Sequence, residues 1–204
     1  MTTGSQLILI RHSIPEIVQN LPAREWSLSA EGRRRAKKLA ERLAKHYPEV
    51  IFSSMEPKAQ QTAKILGENL NLKLQIAEGL HEHERKEVPF HSKEVFRSLV
   101  RGLFEKPDAL VFGEETGAQA LERFRKSVDS IMNAYSDKKL AIVSHGTVIS
   151  LFVSWMTGVD GYALWEGLGL PSFVVLDIKQ EIARNSKHQL RRISWNTLTS
   201  VPIP

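Results

Sequence analysis

Two short apolar runs, each ending in a histidine, constrain this chain more than any other feature. Leu7, Ile8, Leu9 and Ile10 lead into Arg11-His12-Ser13, and Leu140, Ala141, Ile142 and Val143 lead into Ser144-His145-Gly146. An apolar run without alternation reads as a strand buried on both faces, the condition of a parallel strand covered by helices. Ligands of open α/β sheets bind outside the carboxyl ends of such strands. Two strands that each deliver an imidazole there point to one site holding both. The arginine beside the first makes phosphate the expected ligand.

The rest of the chain alternates strand and helix. Strands are expected at residues 6–11, 50–52, 72–76, 140–143 and 173–178. Ser29 is placed to N-cap a helix reaching residue 45, with Glu31 suited to its positive end. Pro57 fits the first turn of a helix reaching residue 70, residues 147–156 read as another helix, and Thr116 or Gly117 opens a long one reaching residue 135. This order predicts an α/β three-layer sandwich with a mostly parallel central sheet. Residues 82–117 interrupt the alternation and are expected to form a small insertion over the catalytic edge, where loops vary substrate choice. A helix over residues 92–104 is amphipathic there through Val95, Leu99 and Leu103. Phe90, Phe96, Leu99, Leu103 and Phe104 are expected to pack it on the core, an apolar leaving-group pocket being the alternative. The tail, residues 181–204, carries two basic clusters and a possible edge strand at residues 192–195.

A length of 204 residues suits one domain, here 1–204. The chain has no cysteine, which excludes a disulfide, a thiol nucleophile and a cysteine metal site, and fits a cytoplasmic protein. No apolar run nears the roughly 18 residues of a membrane span, and residues 1–6 lack the basic and apolar regions of a signal peptide. The net charge is +5, and its densest stretch, residues 33–38, has no aromatic side chain. It reads as a solvated helix face rather than a nucleic-acid surface. A positive field favours anionic substrates. The sequence leaves the oligomeric state open.

The chain resembles the histidine phosphatase superfamily, the phosphoglycerate-mutase-like group. The resemblance rests on an ordered set: Arg11-His12, the segment Ser53-Ser54-Met55-Glu56-Pro57-Lys58-Ala59, Leu80-His81-Glu82, and Ser144-His145-Gly146. It implies a phosphatase that hydrolyses phosphomonoesters through a phosphohistidine. His12 would be the nucleophile and Arg11 would clamp the phosphoryl group. His145 would donate to the phosphoryl oxygens, and Glu82 would protonate the leaving oxygen and later activate water. The residue types suit these tasks, since covalent catalysis divides one difficult step into two easier ones. Glu84 stays open as the alternative proton donor. No cofactor and no metal are expected; His81 and His83 would share one face of a strand, but no further ligands accompany them.

Three positions depart from the family pattern. Ser13 replaces the usual glycine and is expected to narrow the pocket and add a donor, and Ile14-Pro15-Glu16 replaces polar residues. Lys58 stands where a second phosphate-binding arginine is expected, keeping the charge and losing the planar fork. Two further matches, Leu28-Ser29-Ala30-Glu31-Gly32 and Gly113-Glu114-Glu115-Thr116, read as ordinary helix capping. A small phosphorylated substrate or a phosphoprotein is the expected partner, with no nucleic acid and no membrane. The alternatives are a phosphoglycerate-type mutase, for which the chain is short, and a weakly active member that binds a phosphorylated ligand.

Overall fold

The computed structural model describes residues 5–86, 88 and 91–178. Five strands form one sheet: β1 (Ser5–Arg11), β2 (Val50–Ser53), β3 (Leu74–Ile76), β4 (Leu140–Ser144) and β5 (Ser172–Ile178), in the order β3-β2-β4-β1-β5. All neighbours are parallel except β5, which runs antiparallel on the β1 edge. The expected mostly parallel α/β sheet is therefore present.

The apolar strand runs have the physical basis that their lack of alternation predicts. Leu7 and Leu9 of β1 enter one core, with Leu140 and Ile142 of β4 and Val174 and Leu176 of β5. Ile8 and Ile10 enter the core on the opposite face, with Ala141, Val143, Phe173 and Val175. Both faces of the central strands are thus covered.

Helices α1 (Ala30–Leu43) and α2 (Pro57–Leu70) cover one face through Leu39, Leu43, Ala59, Ala63 and Leu66. The other face carries α3 (Lys93–Glu105), α4 (Gly117–Ala134), α5 (Gly146–Thr157) and α6 (Gly161–Gly167). The Ser29 hydroxyl accepts from Gly32 N at the start of α1, and Ser92 does the same for Val95 N at the start of α3. Thr116 and Gln119 form a reciprocal capping box on α4.

Several expectations need correction. In α3 the buried positions are Val100 and Leu103, whereas Val95 is 47% exposed. Phe96, Leu99 and Phe104 are partly buried against the core, as expected. Helix α6 was not expected; seven residues bounded by glycines give little periodicity, although Asp160 caps it at Ala163 N. Phe90 and residues 192–195 lie outside the described residues. No helix among the described residues is long and apolar enough to cross a membrane.

Register sets the site. Arg11 pairs with Ser144 and Ser53 with Val143, so β1, β4 and β2 end at the same level. His12 N donates to Ser144 O (2.9 Å), joining the two histidine-bearing strand ends directly.

Candidate active site

His12 follows β1 and is almost buried. Its Nδ1 lies 2.7 Å from the Ser13 carbonyl. A carbonyl only accepts, so the proton sits on Nδ1 and Nε2 keeps its lone pair. Burial first, then His145, Lys58 and Arg11, hold the imidazole well below the usual histidine range, against the opposing pull of the Ser13 carbonyl. The ring is therefore neutral at neutral pH, as a nucleophile must be.

His145 lies edge-on to His12 with ring centroids 5.1 Å apart. It is fully buried at the N-cap of α5. Its Nε2 is 2.8 Å from Ser54 Oγ and 3.4 Å from Glu56 Oε1, while Nδ1 finds no hydrogen-bond partner among the described residues. Burial, then Lys58, with Arg85 and His81, pushes its pKa well down, against Glu82.

Arg11 donates through Nη1 to Leu168 O, and its buried Nε has no partner among the described residues. Gly146 makes room for it, because a Cβ there would lie 2.9 Å from Arg11 Nε and 3.0 Å from Cζ. The glycine after His145 is thus a matter of close approach between the start of α5 and the β1 arginine.

Glu82 faces the start of α5. Its Oε1 accepts from His83 N (2.9 Å) and Val148 N (3.3 Å), and Oε2 accepts from Thr147 N (3.2 Å). The Thr147 and Val148 donors are orphan N–H groups at the positive end of α5, which favour a carboxylate. Burial acts to raise its pKa, but Arg85, His145 and the His83 N–H outweigh it and hold the group at about 2. Glu84, the open alternative, is engaged elsewhere: its Oε1 is 3.5 Å from both His81 Nε2 and Lys86 Nζ.

Lys58 is 5% exposed on α2. Its Nζ donates to Glu56 in a tight ion pair and to Ala23 O (2.6 Å), pinning the 3-10 turn Ala23–Glu25 over the site. Glu56 itself accepts from Glu82 N (2.8 Å). The sequence assigned no role to Glu56 beyond its place in the family-like segment, and none to Arg85 beyond being one of the insertion's basic residues, which fit the mutase alternative. Arg85 Nη1 is buried without a partner among the described residues, and its guanidinium lies 4.8 Å over Phe96. The only sequence signal for Glu56 was its place two residues before Lys58.

A second missed pair supports Glu82. Arg123 of α4 donates to Gly79 O (2.9 Å), His81 O (2.9 Å) and Glu82 O (3.2 Å), and pairs with Glu115. Glu115 in turn accepts from Glu84 N (2.8 Å), and its carbonyl lies 2.7 Å from His83 Nε2. The Gly-Glu-Glu-Thr turn therefore does more than cap α4.

Ser13 differs from expectation. Its hydroxyl donates to Gly32 O (2.7 Å) and its N–H to Thr62 Oγ1 (3.0 Å), so the side chain ties β1 to α1 rather than offering a donor to phosphate. His81 and His83 lie in a loop, not a strand, and diverge. His83 packs on Phe112 with centroids 4.7 Å apart, and His81 faces Glu84. Among the described residues no three His, Cys, Asp or Glu side chains gather at metal-binding geometry.

A cavity of about 360 Å³ opens beside these groups, walled by Glu56, Lys58, Glu82, Glu84, Arg85 and Lys86, with Pro22 and Ala23 above. None of its described walls comes from α3.

Comparison with known proteins identifies the family and the fold. The histidine phosphatase superfamily (branch 1) matches residues 7–189. Phosphoserine phosphatase 1 of Hydrogenobacter thermophilus is 25% identical over 188 residues, covering 86% of this chain and 87% of its own. The structure of mycobacterial hydrolase 2 superposes with a TM-score of 0.76 at 21% identity, over 100% of this chain and 94% of its own. Mycobacterial glucosyl-3-phosphoglycerate phosphatase gives 0.69 at 22% identity, over 86% and 91%. These two structures share the fold.

Proposed function

The chain belongs to the histidine phosphatase superfamily, branch 1, and from that premise we propose that it hydrolyses small phosphomonoesters through a phosphohistidine on His12. One observation carries the assignment of the nucleophile. The Ser13 carbonyl holds the Nδ1 proton of a neutral, nearly buried imidazole, leaving Nε2 free to attack, with Arg11 and His145 beside it.

In the proposed cycle, His12 Nε2 bonds to phosphorus as the ester P–O bond breaks. Arg11, His145 and Lys58 balance the charge on the phosphoryl oxygens. The leaving oxygen takes a proton from Glu82. That residue is held as a carboxylate, so the proton arrives with the substrate. A phosphomonoester has a second pKa near about 6 and so binds in part as the monoanion. The incoming phosphoryl charge, set among Arg11, Arg85 and Glu82, favours moving that proton to Glu82. Glu82 then takes a proton from water, which attacks phosphorus and releases phosphate and free His12.

The mixed-charge walls of the cavity favour a polar leaving group. The named relatives, a phosphoserine phosphatase and a glucosyl-3-phosphoglycerate phosphatase, indicate esters to include in a first panel. Phosphate release is measured over phosphorylated amino acids, sugars and glycerates, with His12→Ala as control. The expected result is hydrolysis of at least one polar ester, abolished in His12→Ala. Release that is equal in both proteins rejects the reading. The protein is expected to act in the cytoplasm, where such metabolites occur.

A further inference from the structure

We propose that Glu56 is a positioning residue for the phosphoryl-transfer step: it is paired with Lys58 in the structure and becomes the counter-ion of a doubly protonated His145 when phosphate is bound. The proposal rests on the phosphatase reading of the same site and goes beyond it in giving an unassigned acid a role.

Three observations carry it. First, Glu56 is an almost buried carboxylate whose two oxygens face different partners. Oε2 takes Lys58 Nζ, and Oε1 takes Glu82 N at 2.8 Å and lies 3.4 Å from His145 Nε2. Second, a carboxylate can only accept, so its approach to Nε2 favours the tautomer with the proton there, shared with Ser54 Oγ at 2.8 Å. Third, His145 Nδ1 is the ring nitrogen left over, buried and without a partner among the described residues.

The consequence follows from proton counting. A neutral ring protonated at Nε2 has only a lone pair at Nδ1, which repels a phosphoryl oxygen. To donate from Nδ1, His145 must take a second proton, here from solvent as dianionic phosphate enters. The groups around His145 are Glu56 and Lys58 from the β2–α2 side, His12 from β1, and His81, Glu82 and Arg85 from the loop. Burial opposes that proton most, and Lys58 and Arg85 add to it. Phosphate reverses the balance. It draws on the Lys58 charge, and the Glu56 carboxylate so released lies beside the newly charged ring.

The test uses the full-length protein and inorganic phosphate as the probe. Nitrogen-15 spectra of the histidine rings are recorded with and without phosphate, the His145 signals being assigned with His145→Gln. In the wild type, phosphate is expected to bring both His145 nitrogens to the protonated, imidazolium shift. In Glu56→Gln the ring stays singly protonated. Steady-state rates on an ester the wild type hydrolyses should show kcat reduced about 10- to 100-fold, the usual scale for removing a partner that orients a histidine. KM should be unchanged or lower, because Lys58 is freed for phosphate. Glu56→Asp, which keeps the charge but withdraws it by one methylene, should fall between the two, and it serves alone if Glu56→Gln does not fold. An imidazolium signal equal in variant and wild type overturns the proposal, and so does an undiminished kcat. A wild type without phosphatase activity rejects the function instead and leaves the spectra to judge Glu56.

Discussion

Lys58, at the position where the resemblance leads one to expect arginine, is bonded to Glu56. The two are 5% and 9% exposed and are bonded to each other, so neither is an isolated buried charge. Removing one partner of a buried pair typically costs about 3–5 kcal/mol, whereas removing both is often nearly neutral. Lys58→Met should therefore lower the thermal midpoint by roughly 10 °C for a chain of this size. The double variant Glu56→Gln/Lys58→Met should regain most of that in the same melting experiment; equal losses in both would show that the pair is not coupled. Lys58→Arg is expected to retain or lower KM for phosphate esters, since a fork can hold Glu56 and still present a donor to the phosphoryl group. A clear rise in KM would mean that the pocket fits lysine alone. The sequence disclosed the charge at position 58 but not its partner. An ion pair between residues two apart, where a strand turns into a helix, leaves no periodic signature. Ser13 misled for a similar reason: its hydroxyl is directed by Gly32 O, a contact 19 residues away.

At the scale of elements, the site depends on how the loop before α3 meets the start of α5. Glu82 accepts the first free N–H groups of that helix, and Arg123 of α4 fastens the loop through three carbonyls. If Glu82 protonates the leaving oxygen, its loss should matter most when that oxygen is a poor leaving group. Glu82→Gln should depress hydrolysis of alkyl phosphates much more than of 4-nitrophenyl phosphate, with phosphoenzyme formation followed by single turnover. Glu84→Gln should show no such contrast, and the reverse pattern would move the donor by two residues. Arg123→Met should reproduce the Glu82→Gln contrast in weaker form, because it loosens the loop without removing the acid. Rates lowered equally on both substrates would confine Arg123 to stability. The helix starts were legible because Ser29, Ser92 and Thr116 are local caps. The Arg123–Glu115 clamp was not, since it joins segments that only the tertiary fold brings together. Val95 was misjudged within α3 because the stripe that packs is centred on Val100 and Leu103.

At the scale of the whole molecule, both cores were legible in strand runs that lack alternation, as was the meeting of two histidines at one sheet edge. The antiparallel direction of β5 was not, because residue pattern carries no strand direction. Burying His12 and His145 as neutral rings also shapes stability. Their folded pKa values lie below 6.5, so the unfolded chain binds more protons as pH falls through that value. Stability should be full above about pH 6.5 and decline below it. Glu82, held at about 2 against an ordinary 4.5, adds a further loss between those values. Melting from pH 8 to pH 4 should show the first decline, and His12→Asn/His145→Asn should flatten it; an unchanged slope would place its source elsewhere. If Arg11 and Lys58 supply the positive charge that a metal would otherwise bring, activity should survive a strong chelator, and a loss restored by one divalent ion would refute this. The central claim, that His12 carries the phosphoryl group, is tested most directly by rapid quenching during turnover of an identified ester. The wild type should yield an acid-labile, base-stable phosphohistidine that maps to His12 and is missing from His12→Ala. Phosphohistidine at wild-type yield in His12→Ala, or mapped to another residue, would contradict it.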